Sequence, residues 1–108
     1  MKAFVLGLLL VAVGSAGQRE QTFTGTISDD MCALTGHAQM RMGPTDADCT
    51  KACVSAHGAE YVLVDGKDVY TLSNQQAPEA FAGRRVSIVG TLEPGSRTIR
   101  VDSIALAP

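Results

Sequence analysis

Two strand-like segments of this chain carry a glycine at mid-strand, and that placement narrows the folds open to a small β protein. Thr22 to Ser28 (TFTGTIS) is rich in β-formers and puts Phe23, Gly25 and Ile27 on one side of the pleat. Arg84 to Glu93 (RRVSIVGTLE) alternates, with Val86 and Ile88 on one face, and has its own interior glycine at Gly90. A glycine inside a strand marks a bulge or a sharp coil, as at the corner of a small barrel.

Three further segments fit such a sheet. Glu60 to Asp65 (EYVLVD) and Asp68 to Ser73 (DVYTLS) flank Gly66-Lys67, a hairpin signal. In the first, Tyr61 and Leu63 share one face and Val62 and Val64 the other; in the second, Val69 and Leu72 are the expected buried anchors. Pro94-Gly95-Ser96 is a turn into Thr98 to Leu106, expected to place Ile99, Val101, Ser103 and Ala105 on one face and Arg100, Asp102, Ile104 and Leu106 on the other. Between the third and fourth strands, Asn74 to Gly83 (NQQAPEAFAG) predicts a short helix beginning near Pro78, with Phe81 turned to the core and Gly83 as its stop. The order predicts a mainly β fold, a five-stranded OB-like Greek-key barrel with a cysteine-bearing helix inserted after strand 1 and a short helix between strands 3 and 4. An open α+β sheet of the same elements is the alternative.

The N-terminus predicts export. Lys2, the apolar run Ala3 to Val13 and the small residues Gly14, Ser15, Ala16 and Gly17 follow the charged, apolar and cleavable order of a signal peptide. Residues 1–17 are assigned to it, with cleavage after Ala16 or Gly17, and residues 18–108 to a single domain that is periplasmic or secreted. The apolar run is short for a bilayer and no second one follows, so no membrane span is expected after cleavage. Removing Lys2 leaves eight basic against eleven acidic residues, a net charge of −3. That balance argues against nucleic acid as a partner, since such binding draws on phosphate neutralisation. The few aromatics are needed for the core and offer no stacking platform. A domain of about ninety residues buries only roughly 60–65% of its unfolded surface, so a covalent or metal staple would strengthen it.

The remaining stretch, Asp29 to Gly58, holds all three cysteines, both histidines and every methionine except the first. Met31 to Gly43 shows no apolar period and reads as an irregular excursion. Thr45 then caps a helix, with Asp48 at its third position and Gly58 as its left-handed stop, and Cys49, Ala52, Cys53 and Ala56 fall on one face.

The spacing C-x4-H-x11-C-x3-C of Cys32, His37, Cys49 and Cys53 supports three kinds of chemistry. The first is a disulfide from Cys32 to Cys49 or Cys53, since exported cysteines pair and two cysteines four apart on one helix do not join without distortion. Closing a loop of about seventeen to twenty-one residues would stabilise the fold by about 3 kcal/mol. The second is a metal site, in which Cys32, His37, Cys49 and Cys53 close a tetrahedron for zinc, or the thiolates join Met40 and Met42 around copper(I). His57 is an additional ligand candidate, though its place near the helix end suits a solvent-facing residue. The third is thiol chemistry by an unpaired cysteine, which lacks a CxxC motif and an obvious base other than His37 or His57. No pattern for another catalytic class is present.

These residues together resemble a group of small secreted bacterial proteins of unknown function. The resemblance lies in Gly25-Thr26-Ile27-Ser28-Asp29-Asp30-Met31-Cys32, in His37, in Cys49 and Cys53, in Tyr61 to Leu72, and in Gly83 to Leu92. It implies an OB-like fold and an exported address, and no activity. The expectation is therefore a non-enzymatic exported domain that binds a metal ion, zinc or copper, or an envelope partner through its cysteine-rich segment. A thiol-active redox protein and a purely structural disulfide-stapled domain are the alternatives.

Overall fold

The computed structural model describes residues 19–39 and 41–108; the expected signal peptide, and Met40 as an expected copper ligand, lie outside the described residues. The strand that organises the sheet is β1 (Gln21–Asp29), because it has two neighbours in succession. Its first part pairs antiparallel with β4 (Arg85–Leu92), from Gln21 opposite Gly90 to Thr26 opposite Arg85. Its last part pairs with β2 (Tyr61–Asp65), from Thr26 opposite Val64 to Asp29 opposite Tyr61. Gly25 stands at the changeover, where a Cβ would collide with the Val64 carbonyl oxygen and lie 2.9 Å from its carbon. The absent side chain lets the strand pass from one neighbour to the other.

From β2 the chain turns into β3 (Asp68–Leu72), which pairs in parallel with β5 (Thr98–Leu106) at Thr71–Thr98 and Leu72–Ile99. β5 returns antiparallel along β4, and the five strands close into a ring in the order β1-β2-β3-β5-β4. Inside it pack Ile27, Tyr61, Leu63, Leu72, Val86, Ile88 and Ile99, together with Ala82. The expected short helix after β3 is a 3-10 helix, Ala77–Phe81, with Pro78 buried and Phe81 against the core. Just before it, the Gln75 side chain accepts from the Tyr61 N–H and donates to the Tyr61 and Leu72 carbonyls, satisfying backbone groups at the start of β2 and the end of β3.

Three face assignments differ from the sequence expectation. In β3, Tyr70 shares the core face with Leu72, and Val69 is half-buried across from Val64. In β5, Val89 faces Ser103 while Gly90 faces Val101, so Asp102 is an extra residue. One inserted residue reverses a two-residue alternation, and Ile104 packs on the core where Ser103 and Ala105 were expected. At this bulge a Cβ on Gly90 would collide with the Arg100 carbonyl oxygen. In the helix α1 (Asp46–His57) the buried residues are Cys49, Thr50 and Cys53, while Ala56 is exposed. Val54 packs against both the ring core and the cysteines, which joins the two apolar clusters.

The excursion that carries α1 leaves and rejoins the ring at one point. Asp30 donates its N–H to the Glu60 carbonyl, and the Asp30 Oδ1 accepts the Glu60 N–H. Among the described residues no helix is long and apolar enough to cross a membrane.

Gly25→Ala and Gly90→Ala are each expected to destabilise the protein by about 1–3 kcal/mol, the usual cost of forcing atoms into filled space. Urea denaturation reads this as a lower midpoint; an unchanged midpoint at Gly90 would contradict the close approach of β4 to β5.

Candidate metal centre

Asp29 places the first cysteine. It is the last residue of β1 and fully buried, yet its carboxylate is well supplied with donors. Oδ2 accepts the backbone N–H groups of Met31 and Cys32 at 3.1 Å each, a turn that aspartate side chains favour because they reach the backbone two and three residues on. Oδ1 accepts the hydroxyl of Thr50, also fully buried, at 3.1 Å. A buried carboxylate is tolerable only with such partners. Here they turn the chain into the excursion and bind it to α1.

The helix places the other two cysteines. Thr45 is its N-cap, accepting the Asp48 N–H at 3.1 Å and donating its hydroxyl to Asp48 Oδ2 at 2.8 Å. Gly58 ends it in the left-handed region at φ 68°. Cys49 and Cys53, one turn apart, project from one face toward Cys32. The three sulfurs lie within 4.8 Å of one another, and no disulfide joins them. Zinc–sulfur bonds of about 2.3 Å allow two ligand sulfurs to stand at most about 4.6 Å apart, so small rotations would bring these three onto one ion. Ala59, Val54 and Met42 pack around them, and the Met42 N–H donates to Cys49 Sγ at 3.4 Å.

Burial, then the Asp29 carboxylate, then the sulfurs of Cys53 and Cys49 push the Cys32 thiol up to about 12. Burial first and Asp29 second raise Cys53 as well. Without a cation these are thiols and not thiolates, the reverse of what a cysteine nucleophile needs. A bound divalent or monovalent metal reverses that balance, because a coordinating thiol is deprotonated outright.

The structure divides the four expected ligands. His37 opens a 3-10 turn, His37–Gln39, and joins Asp29 and Cys32 in a second set of ligand atoms within 4.8 Å of one another. Cys32 thus belongs to both sets, and His37 only to the second. Its Nδ1 is buried and has no hydrogen-bond partner among the described residues. His37 also lines a pocket of about 170 Å³ with Cys32, Ser28 and Asp46. Met42 contacts the sulfur cluster, while His57 is exposed at the helix end. From the sequence, neither Asp29 nor Thr50 is assigned a part in the site. The Asp-x-x-Cys spacing was a signal for the first; nothing local marks the second.

Residues 53–107 match a protein-family model described as a protein of unknown function, DUF5818. The match begins at Cys53, so Cys32, His37 and Cys49 precede it. No curated protein and no solved structure matches the chain.

Two outcomes test this geometry. Thr50→Val leaves one Asp29 oxygen without its hydroxyl donor and is expected to cost about 1–3 kcal/mol in urea denaturation, with Thr50→Ser close to wild type. For the reduced, metal-free protein, the unfolded chain releases the Cys32 proton near pH 9 while the folded chain keeps it up to about 12. The folded state therefore holds more protons in that window, and stability is present below pH 9 and falls as pH rises through it. Cys32→Ala should flatten that slope; a stability that rises with alkaline pH would refute the burial of the thiol.

Proposed function

Since the chain belongs to the DUF5818 family of proteins of unknown function, from which no activity can be carried over, we propose a function from its own residues: a non-enzymatic exported domain that binds one soft metal ion, zinc or copper, through Cys32, Cys49 and Cys53. The observation that carries this is the convergence of three buried sulfurs within 4.8 Å. Thiolate sulfur selects zinc and copper(I) over hard cations. The apolar surroundings, with the Met42 side chain among them, would slow hydrolysis and exchange at a bound ion. The raised Cys32 and Cys53 thiols weigh against a nucleophilic or redox enzyme. The metal is placed ahead of an envelope partner because the ligands are already assembled.

The scaffold of this proposal is OB-like. Support comes from the ring order β1-β2-β3-β5-β4, the parallel β3–β5 pairing and the short helix before β4. The exported address rests on the leader-like run of residues 1–17. A disulfide-stapled domain is the second reading, favoured by the hydrogen bond between the Cys32 and Cys53 thiols.

Native mass spectrometry of the reduced protein with one equivalent of zinc or copper(I) separates the two. One ion per chain with loss of thiol protons is expected, and Cys49→Ser should weaken binding by at least about 100-fold, more than supporting residues around a metal are worth. A protein that takes up neither ion after reduction, and that purifies two hydrogens lighter, would establish the disulfide and overturn the metal.

A further inference from the structure

The pocket beside the thiols has a lining that a static three-sulfur site does not explain. Cys49 and Cys53 are fully buried, Cys32 is 3% exposed, and of these three cysteines Cys32 lines the pocket together with the half-buried His37. An ion arriving through the pocket meets His37 and Cys32 before either helix thiol. Cys32 is also the shared member of the two ligand sets, one with Cys49 and Cys53 and one with Asp29 and His37. In the second set Asp29 is already engaged by Met31, Cys32 and Thr50, which leaves His37 and Cys32 as the pair best placed to receive an ion. The His37 Nδ1, buried and unpartnered, is an orphan of the kind that calls for a role, and an imidazole nitrogen is the commonest metal ligand.

We infer that His37 and Cys32 form an entry position from which the ion is handed inward to Cys49 and Cys53. This rests on the metal-binding function proposed above. In the first step a hydrated ion exchanges water for His37 Nδ1 and Cys32 Sγ, and the Cys32 proton leaves to solvent. In the second step bonds form to Cys49 Sγ and Cys53 Sγ, the bond to His37 breaks, and two thiol protons leave through the pocket. Cys32 stays bound throughout, and no electron is transferred. Release runs the same path backwards, so His37 governs exchange in both directions and contributes little to the depth of the final site.

Stopped-flow transfer of zinc between the reduced protein and a chromophoric chelator, with the dissociation constant from competition, tests this. His37→Ala should slow uptake and release by about tenfold or more, the scale on which supporting residues act at metal sites, while the dissociation constant moves by less than about threefold. Added imidazole should restore the rates in His37→Ala, and His37→Gln should be slow as well; a histidine needed only for packing would give no such rescue. Cys49→Ser should lose affinity. Unchanged rates in His37→Ala would overturn the relay, and so would a loss of affinity equal to that of Cys49→Ser, which would make His37 a resident ligand. If the wild type takes up no zinc and no copper(I), the metal-binding function falls and the relay with it.

Discussion

Asp29 stands at the end of β1 with its carboxylate out of reach of water, and its three hydrogen bonds meet three structural needs. Two of them bend the chain out of the ring and orient the Cys32 backbone. The third reaches across to Thr50, on the same helix face as Cys49 and Cys53. An ionised group in such a place strengthens each hydrogen bond it accepts, because little solvent competes for it. Together with the packing of Val54 on both apolar clusters, this group fixes the relation between ring and helix, and with it the meeting of the three sulfurs. After burial, which is the larger cause, it also raises the Cys32 and Cys53 thiols: a negative charge this close opposes thiolate formation and favours a cation.

The sulfur cluster is consequently tense in a chemical sense when empty. Three thiols share a buried, apolar space with a carboxylate, and both Cys32 and Cys53 hold their protons more firmly than an exposed cysteine. A positive ion among them would relieve the same electrostatics that suppress nucleophilicity. The arrangement suits a site that is inert until occupied.

What was legible in the sequence is what local chemistry decides. The caps Thr45, Asp48 and Gly58 lie within one turn of the helix ends they fix, so α1 could be placed to the residue. Gly90 announced a bulge because few other reasons exist for glycine inside a strand, and the shift is found there. Its consequence for β5 was not legible, since the extra residue, Asp102, sits on the partner strand and looks like any polar position in an alternating run. Asp29 was missed for the same kind of reason: its burial is made acceptable by Thr50, twenty-one residues away. The Cys/His spacing singled out three cysteines that the fold does bring close together, but distance along a chain does not say whether four ligands share one point. Here Cys32 is common to two groups and His37 belongs to one.

The clasp between Asp30 and Glu60 gives the molecule a division of labour. One backbone hydrogen bond and one from the Glu60 N–H to the Asp30 carboxylate tie the ends of the excursion much as a tight turn would, while Ala47 and Val54 of α1 still pack on the ring core. The entropy of holding a loop's ends together grows slowly with length, about 0.6 kcal/mol for each doubling. The loop between the clasp and α1 can thus change length at modest cost to the sheet, provided Ala47, Thr50 and Val54 keep their places against it. The excursion is in this sense a long insertion that the ring holds at one doorway and along one helix face.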